Sequence, residues 1–561
     1  MNGIIAVSGM AYANAYIIRE TRACLEPVYT EDVERELSRL QAASKECGRQ
    51  LSDLIDGLKQ DSGEEQAAIL EFQYMLLEDE NYFGSICNIV KNEKVISEYA
   101  VSKYSEEYRQ ELLALDNEYL NQRASDIKDI EERLLKNLNS KKDEAGNDEP
   151  IIVVARDLTP SRFVELSRGD LKGIILEEGG LSSHCVILAR SFNIPCMVGV
   201  TGAIDDLDGA KTILLDAISG QIIKNPTSEK IGGYETYQRE ADKVKESLEE
   251  YKTKKTETAD GKHMGVYANI TSTEEVSALK GNGGEGVGLL RTEMLYMEKA
   301  TAPTREEQIW FYSKIAKELE NRPLIIRTLD VGGDKKIPYL NIPEEENPFL
   351  GFRAIRFCLE NDDIFLTQLE AILSSCEYGN VKIMIPMVST IDEFKRAKEK
   401  IDSLAKTKSL NVQVGMMVET PAAAIMADRF AKVADFFSIG TNDLTQYIFA
   451  ADRNNKKVAH LNSYFNPALL RAVANICKEA RKEGIEVDIC GQAGEVEELI
   501  PLWVGMGVDN LSVSIPSITR VRRTISLCDT KKCKALVEKV MELSTQDEVK
   551  ELLEKEKDKW L

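Results

Sequence analysis

The stretch Val412–Asp443, VQVGMMVETPAAAIMADRFAKVADFFSIGTND, contains the pattern that recurs through the C-terminal half of the chain. Two short apolar runs, Val412–Val418 and Ala434–Ile439, flank a helical stretch, and polar residues follow each run. A short apolar run bounded by turn residues predicts a buried strand. A strand, a helix and a second strand in this order predict one unit of a parallel α/β sheet.

The same alternation continues on both sides of this stretch. Six further apolar runs alternate with helical segments: His263–Ile270, Glu285–Leu290, Pro323–Leu329, Val381–Val388, Ile485–Ile489 and Asp509–Val513. Eight strands, each followed by a helix, are the pattern of a (β/α)8 TIM barrel. We therefore predict such a barrel over residues 259–561, with its functional side chains where the strands end.

The predicted strand ends carry cationic, acidic and thiol side chains. In chain order these are Arg291, Arg327, Lys335, Glu419, Asn442, Asp443, Arg453 and Cys490. Arginine binds phosphate and carboxylate oxygens bidentately, and carboxylates are suitable ligands for Mg²⁺. A thiol at such a mouth can exchange a proton with a small carbon acid. These residue types predict a small, anionic, phosphorylated ligand that is bound together with Mg²⁺.

A second informative segment is GGLSSHCVILAR, residues 179–190. It places His184, one of three histidines in the chain, at the start of a predicted helix. A helix N-terminus favours negative charge, so this imidazole is suited to carry a phosphoryl group. The other two histidines lack such a context, and we assign them no role.

The N-terminal half predicts two further structural regions. Residues 1–20 and 145–226 show short apolar runs that predict an α/β domain around the histidine segment. Helical spacing with Thr30 as its N-cap predicts a helical bundle inserted at residues 21–144. Residues 227–258 predict a connecting helix with a hinge at its glycine pair. The predicted fold class is therefore multidomain α/β, with an inserted helical bundle and a C-terminal barrel.

Composition excludes several classes of protein. A chain of 561 residues is too long for a single core and requires several domains. Its formal net charge of −23 disfavours nucleic acid as a partner. Its 11 cysteines show no CxxC spacing, which is typical of reduced thiols rather than of a disulfide framework or a zinc site. No segment approaches the roughly 20 apolar residues that span a membrane. We expect a cytoplasmic protein without membrane insertion.

Long motifs in both halves resemble one family. They are GGLSSHCVILARSFNIPCMVGV, GVGLLRTEMLYM, RTLDVGGDK, ENPFLGFRAIR, VGMMVETPAA, FFSIGTNDLTQYIFAADR and CGQAG. The chain resembles, over nearly its whole length, the enzyme I family of the phosphoenolpyruvate-dependent sugar phosphotransferase system. The resemblance implies transfer of phosphate from phosphoenolpyruvate to Nε2 of His184 and then to the carrier protein HPr. Pyruvate would be released, as the first step of sugar uptake.

The resemblance also implies roles for individual residues. Cys490 would protonate the pyruvate enolate, and Glu419 and Asp443 would bind Mg²⁺. The phosphoenolpyruvate-binding set would be Arg291, Arg327, Lys335, Arg353, Asn442, Asp443 and Arg453. Arg190 matches a family motif position and is expected to contact phosphate. The helical insertion would bind HPr, and the barrel would form a homodimer; both expectations come from the family alone.

The chain departs from the family pattern near both predicted centres. Leu181 and Ser182 replace the usual Arg-Thr before the histidine, and Gln492 stands in a shortened segment where the family has a carboxylate. Two alternatives therefore stay open. One is a relative of phosphoenolpyruvate synthase and pyruvate-phosphate dikinase that lacks the nucleotide domain. The other is a non-catalytic regulatory paralogue that binds phosphoenolpyruvate or HPr.

Overall fold

The structure is a computed structural model that describes residues 3–19, 26–61, 70–71, 73–77, 79, 81–113, 118–139, 149–180, 183–297, 301–333, 337–453, 455 and 457–557. The chain divides into two units, Met1–Ala241 and Asp242–Leu561. Among the described helices, none has both the length and the apolar character needed to cross a membrane.

The first unit contains a mixed sheet of seven strands within the described residues. Its strands are β1 (Ile4–Val7), β2 (Met10–Ile17), β3 (Ile151–Ala155), β4 (Leu171–Leu176), β5 (Cys196–Val198), β6 (Thr212–Asp216) and β7 (Gln221–Lys224). Their order across the sheet is β1-β5-β4-β3-β2-β6-β7. Strand β2 lies parallel to β3, with Asn14 opposite Ile151, although more than 130 residues separate them in the chain. The intervening helices are therefore an insertion between two neighbouring strands.

The described residues of this insertion form the helices α1 (Val33–Asp61), α2 (Tyr82–Glu93), α3 (Ser97–Leu113) and α4 (Glu118–Leu138). They share an apolar core to which every one of them contributes, including Leu40, Ile86, Val101 and Ile130. Helix α1 begins later than the predicted cap at Thr30. The backbone N–H of Arg35 donates to Oδ1 of Asp32 at 3.0 Å, so Asp32 caps this helix.

The other described helices of the N-terminal half are α5 (Pro160–Ser167), α6 (His184–Ser191), α7 (Ala203–Asp206) and α8 (Ser228–Glu249). Helix α6 buries Val186, Leu188 and Ala189 against the sheet core. Helix α8 is the predicted connecting helix. Gly232 and Gly233 lie within its helical span, near its N-terminus.

The second unit contains a closed barrel of eight parallel strands in its described residues, which confirms the predicted fold class. The strands are β8 (Gly265–Ile270), β9 (Val287–Leu290), β10 (Leu324–Arg327), β11 (Val381–Ile385), β12 (Gln413–Val418), β13 (Phe436–Ile439), β14 (Glu486–Ile489) and β15 (Asn510–Val513). Strand β15 pairs with β8 and closes the barrel. Each observed strand lies inside the apolar run that predicted it.

Helices surround this barrel. They are α9 (Glu275–Gly281), α10 (Met294–Met297), α11 (Arg305–Glu318), α12 (Ile355–Glu360), α13 (Asp362–Ser375), α14 (Ile391–Thr407), α15 (Pro421–Ile425), α16 (Ala427–Phe430), α17 (Thr441–Phe449), α18 (Pro467–Glu483), α19 (Ile500–Met506), α20 (Ile518–Leu527), α21 (Thr530–Met541) and α22 (Gln546–Glu556). The main core lies between strands and helices and includes the fully buried Trp503. A second, smaller cluster with Met384, Met417 and Cys490 fills the barrel interior. This division leaves the strand ends free to form a site.

Candidate active site

Arg327, the last residue of β10, lies at the centre of the strand-end cluster. Its buried guanidinium binds the side chain of Glu293, which follows β9, and its Nη1 lies 3.3 Å from Oδ2 of Asp330. Burial alone would lower the pKa of Arg327. The carboxylates of Glu293 and Asp330 outweigh that effect, so the pKa is raised and the positive charge is permanent.

Arg353 is also fixed by hydrogen bonds within the cluster. Its Nη2 donates to the two carboxylate oxygens of Asp330 at 2.9 and 3.1 Å, and its Nη1 donates to the hydroxyl of Tyr447 at 3.2 Å. Both members of this ion pair are almost fully buried. Sequence reasoning assigned no role to Asp330, Glu293 or Tyr447. The only signal for the two acids was that each lies three residues beyond the end of its strand, β10 for Asp330 and β9 for Glu293.

Glu419 follows β12 and is 1% exposed. Its Oε1 accepts a hydrogen bond from the backbone N–H of Met387 at 2.6 Å. Burial, followed by the carboxylates of Asp443 and Asp330, raises the pKa of Glu419 to about 8. Gly440 leaves room for this side chain, because a Cβ there would lie 2.9 Å from Oε2 of Glu419.

The acidic residues fit a divalent cation only in part. A cation would stabilise the buried carboxylate of Glu419, and carboxylate oxygens are hard ligands that Mg²⁺ accepts. No three His, Cys, Asp or Glu side chains in the described part of the chain form a metal-binding group. Glu419 and Asp443 would therefore provide two protein ligands, and substrate or water would supply the rest.

Two further arginines are more accessible than Arg327 and Arg353. Nη1 of Arg453 lies 3.2 Å from Oδ1 of Asp443, and a third of this arginine side chain is exposed. Arg291 follows β9 and is exposed. Accessible guanidinium groups at the strand ends can reach a ligand, whereas the buried pair positions the carboxylates.

Cys490 follows β14 and is 4% exposed. Burial raises the pKa of its thiol to about 12, so the group carries its proton at neutral pH. Its Sγ lies 3.6 Å from the carbonyl oxygen of Ile439. A buried neutral thiol can donate a proton, whereas a metal-binding or nucleophilic cysteine needs a thiolate.

Asn442, in the first turn of α17, is hydrogen-bonded to the loop after β14. Its Oδ1 accepts from the backbone N–H of Gln492 at 3.0 Å and from the hydroxyl of Tyr464 at 2.9 Å. Oε1 of Gln492 lies 3.1 Å from the same hydroxyl. Gln492 thus takes part in fixing the loop that carries Cys490. Next to this loop lies a cavity of about 570 Å³, lined by Tyr464, Gln492, Val496, Arg520 and others.

The histidine segment lies in the other unit. Helix α6 begins at His184, and the preceding Ser183 has extended backbone angles, as expected at a helix start. Nε of Arg190 donates to the carbonyl oxygen of Ala6 at 3.4 Å. Leu181, Ser182 and Lys335 lie outside the described residues, as does the side chain of His184.

Three family models match this chain. Residues 245–530 match the family model of the PEP-binding domain of PEP-utilising enzymes. Residues 147–220 match the mobile domain of the same enzymes, and residues 2–123 match their N-terminal domain.

Curated relatives match over nearly the whole chain. Phosphoenolpyruvate-protein phosphotransferase of Priestia megaterium is 39% identical over 562 residues, covering 99% of this chain and 98% of the relative. The protein of that name in Listeria innocua is 39% identical, with 99% of each chain covered. The one in Bacillus subtilis is 38% identical, with 98% of each chain covered.

Proposed function

Because the chain belongs to the phosphoenolpyruvate-protein phosphotransferase family, we propose that it transfers the phosphoryl group of phosphoenolpyruvate to its own His184 and then to an HPr-type carrier protein. The observation that carries this proposal is the buried arginine–carboxylate cluster at the barrel's strand ends. It combines fixed positive charge, carboxylate oxygens and a protonated thiol, which is what the cleavage of an enol phosphate requires.

Phosphoenolpyruvate binds at the accessible arginines. Arg291 and Arg453 bind its phosphate and carboxylate oxygens, for which a guanidinium fork is suited. The buried Arg327 adds a permanent positive charge at the end of β10, and Arg353 holds Asp330 in place. Asn442 and Lys335 complete the substrate-binding set.

Glu419 and Asp443 would hold Mg²⁺, with substrate or water oxygens as its other ligands. A bound Mg²⁺ would supply positive charge that balances the negative charge of the substrate. This chain's own contribution is to keep both carboxylates ordered. The backbone N–H of Met387 orients Glu419, and the guanidinium of Arg453 orients Asp443.

The chemical step breaks the phosphorus–oxygen bond of the substrate. Nε2 of neutral His184 attacks phosphorus, and the electron pair of the broken bond leaves with the enolate of pyruvate. The thiol of Cys490 then gives its proton to C3 of the enolate. Burial of Cys490 keeps that proton in place until the enolate forms, because a thiolate would be poorly solvated there.

The second transfer uses the N-terminal half. The His184 domain moves on the connecting helix at residues 227–258 and presents its phosphoryl group to HPr, which binds the helical insertion. The protein acts in the cytoplasm, as the first enzyme of sugar uptake, and its barrel forms a homodimer. The resemblance to the enzyme I family supports these features, and the relatives' names support transfer of phosphate to a protein.

The test is incubation with Mg²⁺ and phosphoenolpyruvate labelled with ³²P, followed by addition of HPr. We expect acid-labile label on the protein, none on H184A, and passage of the label to HPr. Label on H184A would contradict the assigned acceptor. Labelling that needs ATP would favour the dikinase alternative, and binding without labelling would favour the regulatory one.

A further inference from the structure

Asn442 is the residue at which three segments of the barrel meet. It lies in the first turn of α17, Tyr464 lies in the connection between α17 and α18, and Gln492 follows β14. Oδ1 of Asn442 accepts two hydrogen bonds, from the backbone N–H of Gln492 at 3.0 Å and from the hydroxyl of Tyr464 at 2.9 Å. An amide oxygen has two lone pairs, so both of them are occupied.

These two bonds determine the orientation of the Asn442 amide. A backbone N–H can only donate, so the atom that faces Gln492 is the amide oxygen, and Nδ2 points away from it. Among the described residues, the hydrogen bonds of the Asn442 side chain are these two, both at Oδ1. Asn442 is half-buried and directly precedes Asp443, which Arg453 binds at 3.2 Å. Two amide protons therefore remain available to an anion at the strand ends.

The surrounding fold holds both donors in place. Asn466, two residues after Tyr464, is the N-cap of α18. The carbonyl oxygen of Ala493, directly after Gln492, accepts from Nε1 of the buried Trp503 at 3.0 Å. An amide held by two donors on an ordered backbone loses little freedom when a ligand binds to it.

The side chain of Gln492 is a second partner of the Tyr464 hydroxyl, with Oε1 3.1 Å away. A phenol has a single proton, so it cannot donate to Asn442 and to Gln492 at once. Burial raises the pKa of Tyr464 to about 12, so this proton is present at neutral pH. A half-turn of the Gln492 amide presents Nε2 as a donor to the phenol oxygen and leaves the proton to Asn442. The carboxylate that the family has in this segment can only accept, and it would compete for that proton.

We propose that Tyr464 and Gln492 are positioning residues for phosphoenolpyruvate, which hold Oδ1 of Asn442 so that Nδ2 donates to an anionic oxygen of the substrate. Both residues act through Asn442 and need not touch the substrate. A donor that is already oriented binds a charged acceptor more tightly than one that must first be ordered. The inference rests on the proposed function, in which Asn442 belongs to the substrate-binding set. It also explains how glutamine can replace the family's carboxylate in this segment.

The test measures binding of phosphoenolpyruvate separately from its cleavage. Equilibrium dialysis of full-length H184A with Mg²⁺ and ³²P-labelled phosphoenolpyruvate gives the dissociation constant, since the acceptor histidine is absent. Adding Y464F should raise this dissociation constant about fivefold or more, because Asn442 loses one of its two donors. N442A should raise it further. With N442A present, Y464F should add less than about twofold, because the group it orients is gone.

Two more variants sharpen the test. Y296F is the matched control, because the Tyr296 hydroxyl in α10 also donates to a side-chain amide oxygen, that of Gln308 at 3.2 Å. It should leave the dissociation constant within about twofold. Q492E is measured with and without the Tyr464 hydroxyl. Competition for the phenol proton requires that hydroxyl, so Q492E should raise the dissociation constant about threefold more with the hydroxyl than in Y464F.

The maximal rate of pyruvate formation separates this role from a purely structural one. With His184 intact and phosphoenolpyruvate saturating, Y464F should keep the rate of the rapid-quench burst within about twofold of normal. A fall of about tenfold in that rate with an unchanged dissociation constant would overturn the proposal, since Tyr464 would then act only on the Cys490 loop. An equal effect of Y464F with and without N442A would also overturn it, as would an equal effect of Q492E with and without the hydroxyl.

Failure of the proposed function would look different. The unmodified protein would then bind phosphoenolpyruvate without forming pyruvate. Weaker binding in Y464F, absent when N442A is present, would still support the positioning role.

Discussion

Removing Arg353 tests whether the buried ion pair with Asp330 holds the strand-end cluster together. In R353M, Asp330 loses both 2.9 and 3.1 Å hydrogen bonds and stays buried. Breaking a buried pair by removing one partner costs about 3–5 kcal/mol. Arg327 remains 3.3 Å from the same carboxylate, so we expect the lower end, about 3 kcal/mol, of this range.

Tryptophan fluorescence during urea unfolding measures this loss in the barrel alone. All three tryptophans follow residue 242, and Trp503 is fully buried in the barrel core. R305M is the matched control, since Arg305 pairs with Glu370 at 2.8 Å on the surface. An exposed pair contributes at most about 1 kcal/mol.

The double variant R353M/D330N, compared with the single variants R353M and D330N, completes a double-mutant cycle. Removing the carboxylate also removes the uncompensated charge, so the double variant should be at least about 1 kcal/mol more stable than the sum of the two single changes predicts. Strict additivity would refute the reasoning. If R353M lowered the free energy of unfolding by less than about 1 kcal/mol, the ion pair would contribute no more than a surface pair, which would also contradict this role.

Three further perturbations follow from the same region. T390A removes the side-chain cap of α14 and should cost about 1 kcal/mol of barrel stability by the same fluorescence assay, with no loss in T390S. G491A places a Cβ against Oγ1 and the backbone nitrogen of Thr441, which displaces the loop that carries Cys490, so pyruvate formation should fall at least tenfold. In the control G494A, the new Cβ has no atom closer than 3.4 Å, so pyruvate formation should be nearly normal. E419Q should raise the Mg²⁺ concentration for half-maximal activity about tenfold or more, as measured by magnesium titration after chelation; an unchanged titration would exclude Glu419 as a ligand.

Sequence patterns predicted the barrel because strand periodicity is a local property. Each apolar run, such as Val412–Val418, contains its strand, and turn residues mark where the run ends. Helix starts were less certain, since Thr30 and Asp32 are both capping residues. Only the hydrogen bond from Arg35 decides between them. Strand β7 was missed because Gln221–Lys224 is short and polar at both ends.

The candidate site was only partly readable from the sequence. Strand ends identified Arg327, Glu419 and Cys490, because a parallel barrel brings such ends to one face. The sequence did not predict which carboxylates pair with the arginines. Asp330 and Arg353 are 23 residues apart, and the fold of the loop after β10 brings them together. The run Ile485–Ile489 was read as an apolar strand, yet it contains two acids that face the barrel interior.

In the proposed function, one protein links pyruvate release at the barrel to phosphate on His184. The most direct measurement is the amount of pyruvate released per chain, with Mg²⁺ and excess phosphoenolpyruvate, before and after HPr is added. We predict a burst of one pyruvate per chain, an equal amount of phosphate on His184, and sustained release only once HPr is present. Sustained pyruvate release without HPr, or a full burst in H184A, would contradict the claim.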